Sequence, residues 1–530
     1  MKRFNYLSTK TLAFVLVLFA SLSACKKEQK DVIYDRKTTA TEFSQFEIQS
    51  QKLVLNPSGY APLTAQINIQ TIFETRAVVR VVGKNGPASD IVKEYNEYTS
   101  NHIFPIMGLY ADYDNIIELT LYDKKGKDLG TSAITLKTDK LIANLPKMKI
   151  NVPSAGGDNE FFLVSYLGLA MSSNPHSPFA FDSYGDIRWF LDYSNHPKLK
   201  KVRIENGLEV LRNGNLYFGD GISNAIYEIN YFGEVLNTWE LNGTGYKVHH
   251  HVLEKPDGNF LLSVHNVAIA TVEDHVIEIN RNSKQVSNVW DLRQSLQMDR
   301  GAMVPDIDSD WVHVNSVEYS AKDNCILISG RHQGVAKLDY SNNVKWIMSP
   351  HRGWNKAGNG VDLRGKLLYP LDKGYKRITD TAVLSGAVNH KDFEWNWYQH
   401  ATVIQPNGNL TMFDNGETRN FTDAQKYSRA LEVEIDEVNM TVKQVWQYGK
   451  ERGAETWSKY ISDVDYDYAH GTVVFAPGGV LGINGGQNYS KVVEVSAYSS
   501  NVVFEATIYP PNPKAVVVAH RVEKVHFLNK

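Results

Sequence analysis

A tryptophan that returns near the end of a short strand-like segment constrains this chain more than any other feature. The markers are Trp189, Trp239, Trp290, Trp346 and Trp446, with Phe504 in the last place, at spacings of 50, 51, 56, 100 and 58 residues. Segments that alternate apolar and polar residues precede most of them, at 225–230, 275–280, 334–339, 431–436 and 491–496. Their period of two is that of a half-buried strand. Further upstream stand Asn213-Gly214, Asp257-Gly258 and Asn407-Gly408, pairs that supply the positive φ of a two-residue type I′ hairpin turn. Asp323-Asn324 and Gly478-Gly479 are looser versions. Each unit reads as strand, tight turn, strand, loop, strand, loop, Trp-ended strand. Four antiparallel strands repeated at about 50 residues make a propeller blade, and six markers predict six.

The predicted fold class is therefore all-β: a six-bladed β-propeller over 146–530, preceded by a β-sandwich domain over 41–145. The sandwich is expected from alternating strands at 76–82 and 116–122 and from turns at Asn56-Pro57 and Lys124-Lys125-Gly126, without a convincing helix. The 100-residue interval holds an insertion at 350–394, rich in Gly, Lys and Arg. Propeller insertions fall in loops of one face, often the binding face.

The first 24 residues read as an export signal, and 25–40 as a tether. A basic start leads into the apolar run 11–20 and then Leu22-Ser23-Ala24-Cys25. That run is too short to span a bilayer but suits a signal-peptide core. The Leu-Ser-Ala-Cys ending resembles the lipobox of bacterial lipoproteins, in which the cysteine carries the lipid; Cys25 is the expected attachment point. The hydrophilic run 26–31 follows as a tether would. The plainer alternative is an ordinary signal peptide with an incidental cysteine. Of the chain's 2 cysteines the other is Cys325, inside an apolar run. It is expected in the core, and no internal disulfide is available. A net charge of −3 over 530 residues argues against a nucleic-acid binder.

The innermost strand of a blade lines the central channel. Counting back six residues from Pro256 and from Pro406 gives His250 and His400, and the matching strand start before Asp323-Asn324 carries His313-Val314-Asn315. Three blades thus present a histidine near one end of the same strand, in a chain with only 16 histidines. The second strand returns antiparallel beside the first, so Arg331 is expected near His313 and Asn315. By the same count His265 and Asn415 lie across from His250 and His400, where loop-forming roles are expected for both. Imidazoles with a guanidinium suit an oxyanion: arginine offers a planar fork of permanently charged donors, and histidine donates, accepts or attacks near neutral pH. Three histidines also suit zinc or copper, though Arg331 would oppose a dication and the strand starts carry no carboxylates or thiolates. The remaining alternative is a channel lining with no chemistry. No Walker loop, dinucleotide glycine fingerprint, His-Glu-x-x-His or nucleophile elbow is present, so no cofactor and no metal are expected.

Longer motifs then match something known. Asp310-Trp311-Val312-His313-Val314-Asn315-Ser316-Val317 and Ser329-Gly330-Arg331-His332-Gln333-Gly334-Val335 resemble the periplasmic arylsulfate sulfotransferases. So do Gln399-His400 with Thr411-Met412-Phe413-Asp414-Asn415-Gly416, Tyr427-Ser428-Arg429, and 445–453. In the first domain 56–63 and Gly108-Leu109-Tyr110 extend the match. The resemblance implies a six-bladed propeller with an amino-terminal β-sandwich, often homodimeric. It implies transfer of a sulfuryl group from an aryl sulfate to a phenol without a nucleotide donor, through a sulfohistidine. By motif, His400 corresponds to the nucleophile, His250 to the histidine that handles the phenolic proton, and His313, Asn315 and Arg331 to the groups holding the sulfuryl oxygens. The cysteine pair that some members carry near the site is missing. The alternative reading is a non-catalytic surface propeller that binds sulfated ligands.

Overall fold

The computed structural model describes residues 43, 48–154, 160–169, 175–300, 309–422, 424–482, 486–513 and 517–527. The expected signal peptide, the tether and Cys25 lie outside the described residues. No helix among the described residues is long and apolar enough to cross a membrane. Cys325 is buried and unpaired, as its apolar surroundings require.

Six antiparallel sheets follow the first domain. Sheet II holds Glu209–Val210, Leu216–Asp220, Ala225–Ile229 and Val235–Glu240. Sheet III holds Tyr246–Glu254, Phe260–Asn266, His275–Ile279 and Val286–Asp291, and sheet IV holds Val314–Ser320, Cys325–Gly330, Gly334–Asp339 and Val344–Met348. Sheet V is built on His400–Ile404, Leu410–Asp414, Arg429–Asp436 and Thr441–Tyr448, and sheet VI on Asp463–Asp467, Thr472–Ala476, Ser490–Ser496 and Val502–Tyr509, to whose last strand Lys147–Val152 adds a fifth. Each is a meander in which consecutive strands pair, so the alternating segments read from sequence fall on the third strands. Sheet I is different. Its strands Phe161–Leu169, Phe179–Phe181 and Ile187–Phe190 take their first partner, Val517–Val525, from the far end of the chain.

The marker residues all lie on the fourth strands, and three explain why tryptophan recurs there. The indole Nε1 of Trp189 donates to Tyr231 O (2.7 Å), that of Trp239 to Arg281 O (2.8 Å) and that of Trp290 to Asp339 O (2.9 Å). In each case the acceptor sits in or at the mouth of the turn between the third and fourth strands of the next sheet. A tryptophan fills the wedge between two twisted sheets with its rings and ties them with its one polar atom. Nearer the first strands, Leu208 N donates to Ser165 Oγ, Tyr217 Oη to Val252 O, Val317 N to His251 Nδ1, Thr402 N to Ser316 Oγ, Asn415 Nδ2 to Ser458 O, and Arg521 Nη1 to Asp463 Oδ1. These bonds link each sheet to the next and the sixth back to the first.

The first domain is all-β, as expected. Its strands form one hydrogen-bonded sheet, in which Ala65–Val81 pairs along one edge with Ile91–Ile106 and along the other with Ile48–Leu55 and then Asp114–Tyr122. One 17-residue strand, bulged around Thr75, serves both halves. The motif Gly108-Leu109-Tyr110 faces sheet I. Arg188 donates to Gly108 O (2.7 Å) and stacks its guanidinium 3.6 Å from the Tyr110 ring centroid. Gly108 has φ +71°, a conformation that favours glycine, and a Cβ there would lie 2.2 Å from Ile91 Cδ1 and displace it. The insertion 350–394 includes a short strand, Tyr369–Pro370, that pairs in parallel with Thr441–Tyr448 at the outer edge of sheet V.

Candidate active site

The four first strands that carry or adjoin histidines are all irregular. Pairing slips between Val248 and Val252, between Val314 and Ser316, between His400 and Val403, and between Ala519 and Val522. A bulge re-aims the side chains beside it. Non-glycine residues here also adopt left-handed backbone: His250 at φ +45°, His313 at +53°, Tyr398 at +54° and Ala401 at +50°. Such strain persists where surrounding structure fixes a functional geometry.

These irregularities bring the sequence-predicted residues together. The rings of His250 and His313 are 4.6 Å apart, and His313 and His332 are 5.5 Å apart. Arg331 N donates to His313 O at 2.9 Å, and its guanidinium lies 5.0 Å from the Tyr398 ring centroid. Asn315 is buried and donates to Gln399 O (2.7 Å), which ties it to the residue before His400. His265 stays apart: it pairs with Lys247, below the bulge that displaces His250.

His400 is buried, and its protonation pattern follows from its partners. Asn415 donates through Nδ2 to Ser458 O (2.9 Å) and Ile461 O (3.0 Å), so its Oδ1 is the atom turned to His400 Nδ1 at 2.8 Å. Tyr398 O, another acceptor, lies 3.1 Å from the same nitrogen. Two acceptors around Nδ1 require the hydrogen there, leaving a lone pair on Nε2. Burial, helped by the charges of Arg331, His313 and His250, pushes the His400 pKa well below the ordinary histidine value. His400 is thus a neutral imidazole of defined tautomer beside cationic neighbours. Asn415, expected only to shape a loop, is the group that sets this tautomer.

His313 is the opposite case. Burial would lower its pKa, but Nδ1 sits 2.6 Å from Asp310 Oδ2 and 2.9 Å from Glu273 Oε2, and the two carboxylates raise it to about 9. Glu273 also meets His249 Nε2 and His250 Nε2, each at 3.1 Å. Although burial works the other way, the His250 and His313 imidazoles hold its carboxyl far below the usual range. His249 is pushed down to about 3 by burial and by its neighbour His250. The histidine-bearing strand starts carry no carboxylates, and those at the site come from Glu273 and Asp310 outside them. Glu273 comes from the loop before His275–Ile279, and Val314 N donates to Glu273 O (3.0 Å), which pins that loop onto sheet IV. No motif marks it. His520 was also missed; it lies near His250 and His400, and burial drives its pKa far down.

Three trios among the described residues place ligand atoms close enough for a metal ion: His249, His250 and Glu273; Glu273, Asp310 and His313; and Glu160, Asp467 and His470. In the second, Glu273 and Asp310 already pair with the His313 imidazolium. In the third, the Lys524 ammonium occupies the carboxylates of Glu160 and Asp467 at 2.6 and 2.7 Å. Chemically, the main cluster pairs a neutral, oriented imidazole with a fixed imidazolium and a guanidinium. Such an arrangement can attack an electron-poor centre and stabilise the anionic oxygens around it.

Comparison with known proteins gives the chain a family. Residues 52–139 match the family model of the Arylsulfotransferase Ig-like domain. Arylsulfate sulfotransferase AssT of Escherichia coli O6:H1 is 28% identical over 551 residues, covering 87% of this chain and 90% of that protein. Arylsulfate sulfotransferase AssT of Lelliottia amnigena is 28% identical over 552 residues, with the same coverage of 87% and 90%. Residues 149–516, most of the chain and including His250, His313, Asn315, Arg331 and His400, match the family model Arylsulfotransferase (ASST), and the chain belongs to the arylsulfotransferase family.

Proposed function

We propose that this protein moves a sulfuryl group from an aryl sulfate to a phenol through a sulfohistidine at His400, without a nucleotide donor. The observation that carries the reading is the neutral His400 whose Nδ1 hydrogen is committed to Asn415 Oδ1. In the first half-reaction the Nε2 lone pair attacks sulfur and the bond between sulfur and the aryl oxygen breaks. His250, whose Nε2 lies 3.1 Å from Glu273 Oε2, gives the departing phenolate a proton. In the second half-reaction the acceptor phenol returns a proton to His250 as its oxygen attacks sulfur and frees His400. Charge spreads over the sulfuryl oxygens in flight, as it does in phosphoryl transfer, and Arg331, His313 and the remaining amide hydrogen of Asn315 are the donors for them. A pure binder of sulfated ligands would need the cations but no neutral histidine among them.

The setting is read the same way. We take the six linked sheets as the blades of a propeller, and the chain as exported, lipid-anchored through Cys25 with a periplasmic or outward face, and paired as a homodimer. The test is direct. Enzyme mixed with an aryl sulfate and no acceptor gains one sulfuryl group, seen as a mass increase near neutral or basic pH and mapped to His400. His400→Ala abolishes the adduct and lowers transfer by roughly 10³-fold or more. Near-normal turnover in that variant, or an adduct on another residue, overturns the assignment, and activity that chelators abolish would favour metal chemistry.

A further inference from the structure

A second group of side chains stands beside the His400 cluster without a part in the transfer itself. Trp457 is partly exposed, and the ammonium groups of Lys426 and Lys459 each lie 5.1 Å from its ring centroid. Its loop is fixed to the reacting residues twice over. Ser458 O and Ile461 O accept from Asn415, the partner of His400. Glu417 shares its carboxylate between Arg331 Nη2 (3.1 Å) and Lys459 Nζ (3.4 Å). Trp457 thus sits one short loop from the nucleophile, and Lys459 one carboxylate from the guanidinium.

The chemistry of the group is that of a ligand subsite. An indole offers an apolar face to another aromatic ring. Here its Nε1 hydrogen is buried with no acceptor among the described residues, although a buried indole N–H ordinarily finds one. Three cations, Arg331, Lys426 and Lys459, surround the region, and Glu417 is divided between two of them. Both loops carry non-glycine residues in left-handed backbone, Thr418 at φ +48°, Ile461 at +50° and Ser462 at +91°. Strain of this kind is held where a loop must present side chains in one place. Lysine ammoniums on flexible stems can leave an aromatic face for a carboxylate or sulfate that arrives with the substrate.

We infer that Trp457, Lys426 and Lys459 form an acceptor subsite that selects phenols bearing a second, anionic group on the ring or on a short side chain. The inference rests on the sulfotransfer reading above and deepens it by naming the acceptor class. The experiment uses 4-nitrophenyl sulfate as donor and compares 3-(4-hydroxyphenyl)propanoate with its methyl ester as acceptors, which differ in one charge. The wild type favours the carboxylate in kcat/KM, and added salt narrows the preference. Lys426→Gln/Lys459→Gln lowers the ratio of the two kcat/KM values roughly tenfold, and Lys426→Arg/Lys459→Arg keeps it. Trp457→Tyr raises KM for both acceptors while sulfuryl loading of His400 from the donor alone continues. A ratio that favours the ester in the wild type, or that is unchanged in the double Gln variant, overturns the inference and leaves sulfotransfer standing. Transfer from the wild type to neither acceptor overturns both.

Discussion

Asn415 Oδ1 lies 2.8 Å from His400 Nδ1, and Asn415 cannot turn over, because its Nδ2 is held by the Ser458 and Ile461 carbonyls. The pair converts a residue of either tautomer into one that shows its lone pair in a single direction. The holding loop belongs to the segment that leads into sheet VI, so sheets V and VI together orient an imidazole that only sheet V supplies.

Asn415→Ala should therefore reduce transfer without removing the nucleophile. His400 keeps Tyr398 O as a weaker acceptor at 3.1 Å, and the loss of one buried hydrogen bond, about 2 kcal/mol, corresponds to roughly 30-fold in rate. Rapid-mixing measurement of adduct formation separates this from a binding effect. Loading at the wild-type rate would show that Tyr398 alone sets the tautomer.

The raised pKa of His313, about 9, gives activity an alkaline limit. The imidazolium is present at neutral pH and lost as pH rises through about 9. Its contribution to folding has the same sign: complete below the unfolded value near 6.5 and lost on the way to 9. Glu273→Gln removes one of the two carboxylates that raise it, so the alkaline limb of kcat should move to lower pH. Glu273 itself, held far below the usual range, contributes stability above its unfolded value near 4.5 that fades only in strong acid. A pH profile of Glu273→Gln that overlies the wild type would exclude His313 as the group responsible.

The marker tryptophans should not be equal in stability. Trp290→Phe loses the bond to Asp339 O and should cost about 1 kcal/mol beyond the change in packing. The indole nitrogen of Trp446 is buried without a partner among the described residues, so Trp446→Phe should cost less. Denaturant midpoints at unchanged m-value decide between them.

Cys25→Ala should release the protein from membranes or stop its maturation if the Leu-Ser-Ala-Cys sequence is a lipid-attachment signal. Membrane fractionation of cells expressing each form measures this. Unchanged association would leave an ordinary signal peptide as the better reading.

How far the sequence reached depended on whether a feature repeats locally. Strand periodicity, Asn-Gly and Asp-Gly turns and the Trp-ended fourth strand are set within each unit of about 50 residues, and they placed the third and fourth strands of five sheets closely. The same register placed His250, His313 and His400 at corresponding strand ends and Arg331 beside His313. Sheet I could not be read this way, because its first strand comes from the far end of the chain, and with it His520 escaped notice. The groups that set protonation were decided by packing between sheets. Glu273 reaches His250 and His313 only because its loop is pinned by the Val314 amide, and Asn415 fixes His400 only because the 457–462 loop holds its amide. Local sequence determines where a strand begins and which side chains it carries. Which carboxylate or amide meets an imidazole across a seam depends on the closed arrangement of all six sheets, and that is a property of tertiary structure alone.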